Sequence, residues 1–330
     1  MTIREIAKLA GVSSAAVSRY LNNGSLSREK KERIQAVIRE TGYRPSEYAR
    51  ALRTRKSRQI GVLVPQIDSE SAPRILEGIG QVLEEKGYYF LLTDSGRSME
   101  KEIRMLADFA VSQVDGLILC ASVITERHRE ILENMPFPVV LAGQKSEICS
   151  CVYHNDYQAA REVMRHLLES GCRYPAYLGV ARQDPAAGEA RYQGAKSALE
   201  EKGFSMDKIP SALVEFTSHS GYLGMEALLG MGMPVDGVFC ASDLIAAGAM
   251  ACLKDRGLRV PDEISVTGIG HGRVADLVSP RLTTVHYHYR TCGREAAGML
   301  LELLENPGAE RREKQLECSL VAGESTQRQG

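Results

Sequence analysis

The residues that could do chemistry fall into two groups. Ser14, Ala15, Ser18, Arg19 and Asn22 recur near the N-terminus at the spacing of one helix face. Arg19 can present its forked guanidinium to guanine O6 and N7, and Ser14 and Ala15 are short enough to meet a base edge or a thymine methyl. An ordinary exposed helix face fits the same residues. The second group lies in loops spread along the chain: Gln66-Ile67-Asp68-Ser69, Asp94-Ser95, Gly143-Gln144, Arg182–Arg191, Ser242-Asp243 and Gly270-His271. These are rich in hydrogen-bonding groups, as a polyol or sugar ligand demands. Bond-making chemistry is not in view. There is no Ser-His-Asp elbow, no G-x-x-x-x-G-K-[ST] loop and no diagnostic carboxylate pair. Gly268, Gly270 and Gly272 lack the third-glycine spacing of a dinucleotide loop. Cys149, Cys151 and His154, and the pair His286 and His288, lack the recurring spacing of a zinc site, so structural or pocket roles are expected. The chain reads as a binder and not an enzyme, with no metal and no cofactor.

The first group needs a helix to present it. Thr2-Ile3-Arg4-Glu5 fits a capping box, so a helix starts there, with Ile3, Ile6, Ala7 and Ala10 on its apolar face. Gly11 ends it, Ser13 caps a second helix to about Leu21, and this pair is a helix-turn-helix pattern. Ala16, Val17, Tyr20 and Leu21 face the first helix, which leaves the Arg19 face outward. A third helix runs from about Arg28 to Thr41, capped by Ser27, buried along Ile34, Val37 and Ile38, and stopped by Gly42. Residues 46–53 form at most two further turns, marginal alone, which fold only with DNA and a second copy.

Charge supports this division. The formal net charge is −1 over 330 residues, yet residues 1–58 hold 14 Lys/Arg against 5 Asp/Glu. The rest holds 27 against 37, an acidic body carrying a basic arm suited to a polyanion. The eight cysteines include no C-x-x-C and read as reduced thiols. No apolar run of about 18 residues and no signal-peptide apolar region is present. A cytoplasmic location with no membrane partner is therefore expected.

The second group needs sheets. From Gln59 onward, short apolar runs (60–64, 89–92, 116–120, 139–141, 176–179, 238–241, 265–267) alternate with amphipathic helical stretches. That alternation means parallel sheets flanked by helices, too many strands for one sheet, and a change of lobe near Asn155. Ligands in such sheets sit beyond the carboxyl ends of the strands, where the polar loops lie.

The run T-I-R-E-I-A-K-L-A-G-V-S-S-A-A-V-S-R-Y-L-N from Thr2, followed by T-G-Y-R-P-S-E-Y-A-R-A-L from Thr41, closely resembles the LacI/GalR family of sugar-operon repressors. The likeness continues through R-x-x-G at 191–194, A-S-D-L-I-A-A-G-A-M at 241–250, V-P-D-E-I-S-V-T-G at 260–268, P-R-L-T-T-V at 280–285 and L-V-A-G-E-S-T at 320–326. The resemblance implies major-groove readout by Ser14, Ala15 and Arg19. It implies a minor-groove hinge helix carrying Ala49, Arg50 and Leu52, with Leu52 wedged into the central base step. Ser18, Asn22, Arg53, Thr2, Ser13 and Tyr43 are counted with the DNA-contacting residues.

It also implies a two-lobed core similar to periplasmic sugar-binding proteins, with chain crossings near 154, 285 and 315. The expected organisation is a helix-turn-helix domain over 1–44 and a hinge and linker over 45–58. One core subdomain is 59–154 plus 285–314, and the other 155–284 plus 315–330. Arg191 aligns with the ligand-gripping arginine, Asp243 with a family aspartate, and Tyr289 with an aromatic stacked on the ligand. Gln66, Asp68, Ser69 and Gln144 join them from the first lobe. Ser242 stands where asparagine is usual, and Gly268-Ile269-Gly270-His271 lacks the sugar-binding aspartate of the family loop. The expected effector is therefore a changed one, a sugar or sugar phosphate, with His271 as a possible cation; a different backbone path at Gly270 is the other reading. The glycine loop and L-T-T-V-H-Y are most similar to sucrose-type repressors. The expected whole is a homodimeric repressor on a near-palindromic operator, with half-sites about one turn apart. A global catabolite regulator with a phosphoprotein corepressor, or a stand-alone solute-binding protein, are the alternatives.

Overall fold

The computed structural model describes residues 1–22, 24–43, 57–121 and 123–327. The expected hinge, with Ala49, Arg50, Leu52 and Arg53, lies outside them. The chain divides into two compact units between Arg58 and Gln59.

The first unit contains helices α1 (Ile3–Ala10), α2 (Ser14–Leu21) and α3 (Arg28–Thr41). The Glu5 N–H donates to Thr2 Oγ1 at 3.3 Å, and the Thr2 N–H donates to the Glu5 carboxylate at 2.7 Å, closing the capping box. Gly11 takes φ 62, a left-handed value open to glycine without steric cost, and the chain turns there into α2. The Ala16 N–H then donates to Ser13 Oγ at 3.2 Å. Ile6, Ala7, Ala10, Val17 and Ile34 form the small core. One expectation is corrected: Ser27 occupies the cap position of α3 but makes no side-chain capping bond. The first turns of α3 are instead braced by i,i+4 ion pairs, Arg28–Glu32 at 2.8 Å and Glu29–Arg33 at 2.7 Å.

The second unit begins with a six-stranded parallel sheet. Its strands are β1 (Gln59–Val64), β2 (Tyr89–Asp94), β3 (Gly116–Leu119), β4 (Val139–Ala142), β5 (Ser150–His154) and β11 (Glu313–Leu316), in the order β11-β5-β4-β3-β1-β2. Alternation at period two sends Ile60, Val62 and Val64 to one face, where Ile79 and Leu83 of helix α4 (Ala72–Glu85) and Ala296 and Leu300 of α12 (Tyr289–Glu305) pack. Leu63 goes to the other face, with Leu106 and Phe109 of α5 (Met99–Ala110) and Leu132 of α6 (Glu126–Glu133). Burial on both faces is why these strands read as continuous apolar runs.

A second parallel sheet has the order β7-β6-β8-β9, from β6 (Pro175–Gly179), β7 (Ser211–Leu213), β8 (Gly237–Cys240) and β9 (Ser265–Thr267). Around it lie α7 (Asp156–Glu169), α8 (Arg191–Glu201), α9 (Ser218–Gly230), α10 (Asp243–Asp255) and α11 (Arg273–Leu277). An antiparallel ribbon of β10 (Thr284–Tyr287) and β12 (Cys318–Val321) completes the unit. Because β11 pairs with β5 through Leu316, the chain stays with the first sheet slightly beyond the crossing expected near 315. The apolar-run reading missed β5, β7, β10, β11 and β12. Strand β7 has three residues, and β11 is a charged edge, Glu313-Lys314-Gln315-Leu316. Among the described residues no helix is long and apolar enough to cross a membrane.

Candidate functional site

In the first unit, packing of Ala16 and Val17 against α1 fixes which side of α2 is free. Ser14, Ala15, Arg19 and Asn22 are exposed and Ser18 is half-buried. The Asn22 amide donates to the Ser18 carbonyl at 2.5 Å, folding back at the end of the helix. The N-terminal part of this face is small, so the backbone can come close to another surface, with Arg19 one turn behind. Thr2 is engaged in the capping box, Ser13 caps α2, and Tyr43 packs against the headpiece core.

In the second unit a cavity of about 200 Å³ lies between the two sheets, beyond the carboxyl ends of their strands. It brings together Gln66, Ser69, Gln144, Arg191, Ser242, Asp243 and Tyr289, seven of the nine residues expected from sequence. Asp68 lines the wider outer part of the cleft instead, a space of about 860 Å³. The lobes touch across the cleft. The Gln144 amide donates to Asp184 at 2.9 Å, Arg74 to the His271 carbonyl at 2.7 Å, and the Arg273 N–H to Glu70 at 2.8 Å. Arg97 crosses to lie 5.0 Å over the Phe216 ring and also hydrogen-bonds Gln66.

Arg191 is held, not loose. It stands at the start of α8, after a π-helical turn at Pro185–Ala190, and is buried. Its Nε donates to Asp156 Oδ1 at 2.7 Å and its Nη1 to the Ala241 carbonyl at 2.5 Å. The Tyr287 hydroxyl donates to the same Asp156 oxygen at 2.8 Å. Burial opposes the guanidinium charge, but Tyr287, Asp156 and Tyr289 more than offset it, so Arg191 stays cationic. Asp243 opens α10, where Ser242 Oγ accepts the Ile245 N–H at 3.3 Å. Its two oxygens accept from Thr284 Oγ1 at 2.5 Å and the Gly272 N–H at 2.6 Å. Burial nevertheless raises its carboxyl to about 6. Burial also raises Asp184, against hydrogen bonds from the Ala187 N–H and Gln144.

His271 is not part of the cavity wall, which corrects the expected cation there. It has φ 48 and its ring turns to His286, with Nδ1 to Nδ1 at 3.0 Å, and to Asp276 at 3.5 Å. Gly270 has φ 128, rarely adopted by a residue with a side chain, and an added Cβ would come 3.3 Å from the Tyr289 hydroxyl. A residue with a side chain, an aspartate included, would be strained at this position, and the Tyr289 hydroxyl lies beside it.

Sequence reasoning did not name Arg97, Asp156 or Tyr287 for the ligand, reached Asp184 only within the loop 182–191 and gave His154 only a structural or pocket role, yet all five line the cavity. A signal existed for most of them. Asp184 lies inside the loop 182–191 already noted, and His154 and Asp156 flank the carboxyl end of β5, a strand that was missed.

Two family descriptions match this chain: bacterial regulatory proteins of the lacI family over residues 2–46, and a periplasmic binding protein-like domain over residues 164–326. The sucrose operon repressor of Staphylococcus xylosus is 31% identical over 312 residues, covering 94% of this chain and 96% of that one. The ribose operon repressor of Halalkalibacterium halodurans is 33% identical over 327 residues, covering 98% and 97%. A solved regulator in complex with cellobiose, CelR, superposes with a TM-score of 0.76 at 29% identity over 98% of this chain and 99% of that one. The operator-bound lac repressor dimer superposes at 0.90 over 99% of each chain; at 23% identity it speaks for the fold alone. The chain belongs to the lacI family of bacterial regulatory proteins, with a helix-turn-helix headpiece and a periplasmic-binding-protein-like core.

Proposed function

We propose that this protein is a DNA-binding transcriptional repressor of carbohydrate-use genes, controlled by a sugar held between the core lobes. It acts as a cytoplasmic homodimer on a near-palindromic operator and catalyses nothing. The observation that carries the reading is the pairing, on one chain, of an exposed α2 face bearing Ser14, Ala15 and Arg19 with an interlobe cavity bridged by Gln144 and Asp184. A ligand between the lobes contacts both, so it favours one lobe arrangement over another. It shifts DNA affinity only by the difference in its own affinity for the two states.

The charge of the cavity favours an uncharged sugar over a sugar phosphate. Asp156, Asp184, Asp243 and Glu70 line it against Arg191 and Arg97. Arg191 is already committed to Asp156, and a phosphate would meet more carboxylates than free donors. The decisive experiment selects duplexes from a random pool with the full chain, then titrates the winning duplex in the presence of a neutral sugar panel. The expected result is a near-palindrome with half-sites about one turn apart, whose affinity one sugar shifts. Equal retention of all sequences would overturn the repressor reading.

A further inference from the structure

Three histidines outside the cavity gather where the lobes meet. His271 lies in the loop after β9, His286 within β10, and His288 just before α12. The loop 270–273 is gripped from both lobes. From the first, Arg74 of α4 donates to the His271 carbonyl at 2.7 Å, and Glu70 accepts the Arg273 N–H at 2.8 Å. Glu70 comes so close that a Cβ added at Gly272 would strike its carboxylate. From the second, Asp243 accepts the Gly272 N–H at 2.6 Å, and Thr284 Oγ1 accepts the His271 N–H at 3.3 Å. All of this depends on a left-handed turn at His271, φ 48, which is uncommon for a residue with a side chain.

The His271 ring is what holds that turn. Its Nδ1 lies 3.0 Å from the His286 Nδ1, with the rings edge-to-face at 76°. Two such nitrogens share one proton: one ring donates it and the other accepts it with a lone pair. One added proton is accommodated at an Nε2. A second must enter between the rings, where it removes the hydrogen bond and sets two cations side by side. The surroundings of His286 oppose that charge. Burial, then His288, His271 and Arg74, lower its imidazole below the ordinary value. The carboxylates near the pair lie on the His271 side: Asp276 at 3.5 Å from its Nε2, Asp243, and Glu70 at the loop. Because the fold holds a proton off His286, the contribution of the pair is complete above about 6.5 and is lost as pH falls below that value.

We propose that the His271–His286 pair is a pH-sensitive latch on the cleft, which keeps the loop 270–273 against Glu70 and Arg74 while the rings share one proton and releases it when both are charged. Its consequence for the effector rests on the sugar reading above. A sugar between the lobes is held by their closed arrangement, so acid weakens its binding through the latch. Neither ring lines the cavity, so no ligand contact is lost directly.

The first test needs no ligand. Hydrogen exchange of the full chain, expressed as protection factors, is compared at pH 7.5 and pH 5.5 for the amides of Gly272 and Arg273. Protection should fall at least fivefold more in the unaltered protein than in His286→Gln, whose side-chain amide can donate to the His271 Nδ1 without gaining charge. Asp243 titrates alike in both proteins, so its effect cancels. Equal falls, or none, overturn the latch. If His286→Gln does not fold, His271→Asn takes its place, since asparagine tolerates the left-handed turn. In the unaltered protein alone, histidine NMR should show the two rings titrating as a coupled pair in two steps. Two independent single steps overturn the shared proton. The second test screens D-ribose, D-glucose, D-fructose, D-galactose, sucrose and cellobiose by thermal shift on the full chain at pH 7.5. The tightest binder is then titrated at pH 7.5 and pH 5.5. Its affinity should fall at least fivefold more in the unaltered protein than in the variant, and equal falls overturn control of the cleft by the latch. A panel in which nothing binds overturns the sugar reading, and the latch then stands or falls on the exchange result.

Discussion

The headpiece and the core recognise their partners by opposite arrangements. On α2 the recognition residues lie close together in sequence and are exposed or half-buried, held up by two buried neighbours, Ala16 and Val17. In the core cavity the groups are buried or half-buried and come from sites as far apart as Gln66 and Tyr289, and many already bond one another. An exposed face meets a large polyanion through side chains that give up water only on contact. A buried cavity removes its groups from water in advance, so each must be paired, neutral or waiting for a ligand. Loss of a residue should therefore damage recognition on α2 and damage the fold as well in the cavity.

Arg191→Ala is the strongest test of that contrast. It leaves the Asp156 carboxylate buried with the Tyr287 hydroxyl still donating to it and strips the Ala241 carbonyl of the Arg191 donor. Breaking a buried pair on one side typically costs about 3–5 kcal/mol. The core transition in urea should move accordingly, and the response of DNA binding to sugar should disappear. A loss below about 1 kcal/mol would show that this pair is not the brace of the cavity.

The pH dependence separates two buried groups of opposite sign. His154 titrates at about 4 in the fold against an ordinary 6.5, so the folded chain binds fewer protons there. Its contribution to stability is complete above about 6.5 and is lost as pH falls towards 4, on the order of 3 kcal/mol across that interval. Asp243 titrates at about 6 against an ordinary 3.8, so its contribution is complete below 3.8 and is lost as pH rises through 6. In His154→Phe the first trend is removed and the second is left. Between pH 6.5 and pH 4 the two trends oppose each other in the unaltered protein and leave its urea midpoint nearly level, whereas the midpoint of the variant should rise as pH falls. An unchanged slope would remove His154 as the source.

How much of this was legible in the sequence follows the same contrast. The headpiece could be read nearly residue by residue, because a capping box, a positive-φ glycine and a 3.6-residue apolar stripe are local signals. The rule that ligands sit at the carboxyl ends of parallel strands then placed most of the cavity loops. It failed where the strand itself was invisible. Strand β5 carries Ser150, Tyr153 and His154 among its five residues, and β10 carries Thr284 and His286 among its four, so neither reads as an apolar run. With those strands went His154, Asp156 and Tyr287. His271 failed for a different reason: its loop position was right, but a backbone turn at φ 48, which composition does not encode, sends its ring to His286.

Arg19→Ala addresses the exposed side of the contrast. It should weaken binding to the selected operator by about 1–3 kcal/mol and relax base choice at one position in each half-site. Binding to random duplex should change little, and the thermal midpoint should not move, because Arg19 is exposed. Equal losses on selected and random DNA would reduce Arg19 to a phosphate contact.

The smallest effect separates two helix starts that look alike in sequence. Thr2 and Ser27 are both hydroxyl residues immediately before a helix. Thr2 accepts the Glu5 N–H and completes a capping box, whereas the Ser27 side chain makes no capping bond. Losing a working cap typically costs about 1 kcal/mol. Thr2→Ala should therefore accelerate hydrogen exchange at the amides of α1 by about fivefold, while Ser27→Ala leaves the amides of α3 within about twofold, since ion pairs brace its first turns. Equal acceleration at both helices would mean that Ser27 caps α3 in solution, and that the two starts are as alike as their sequences.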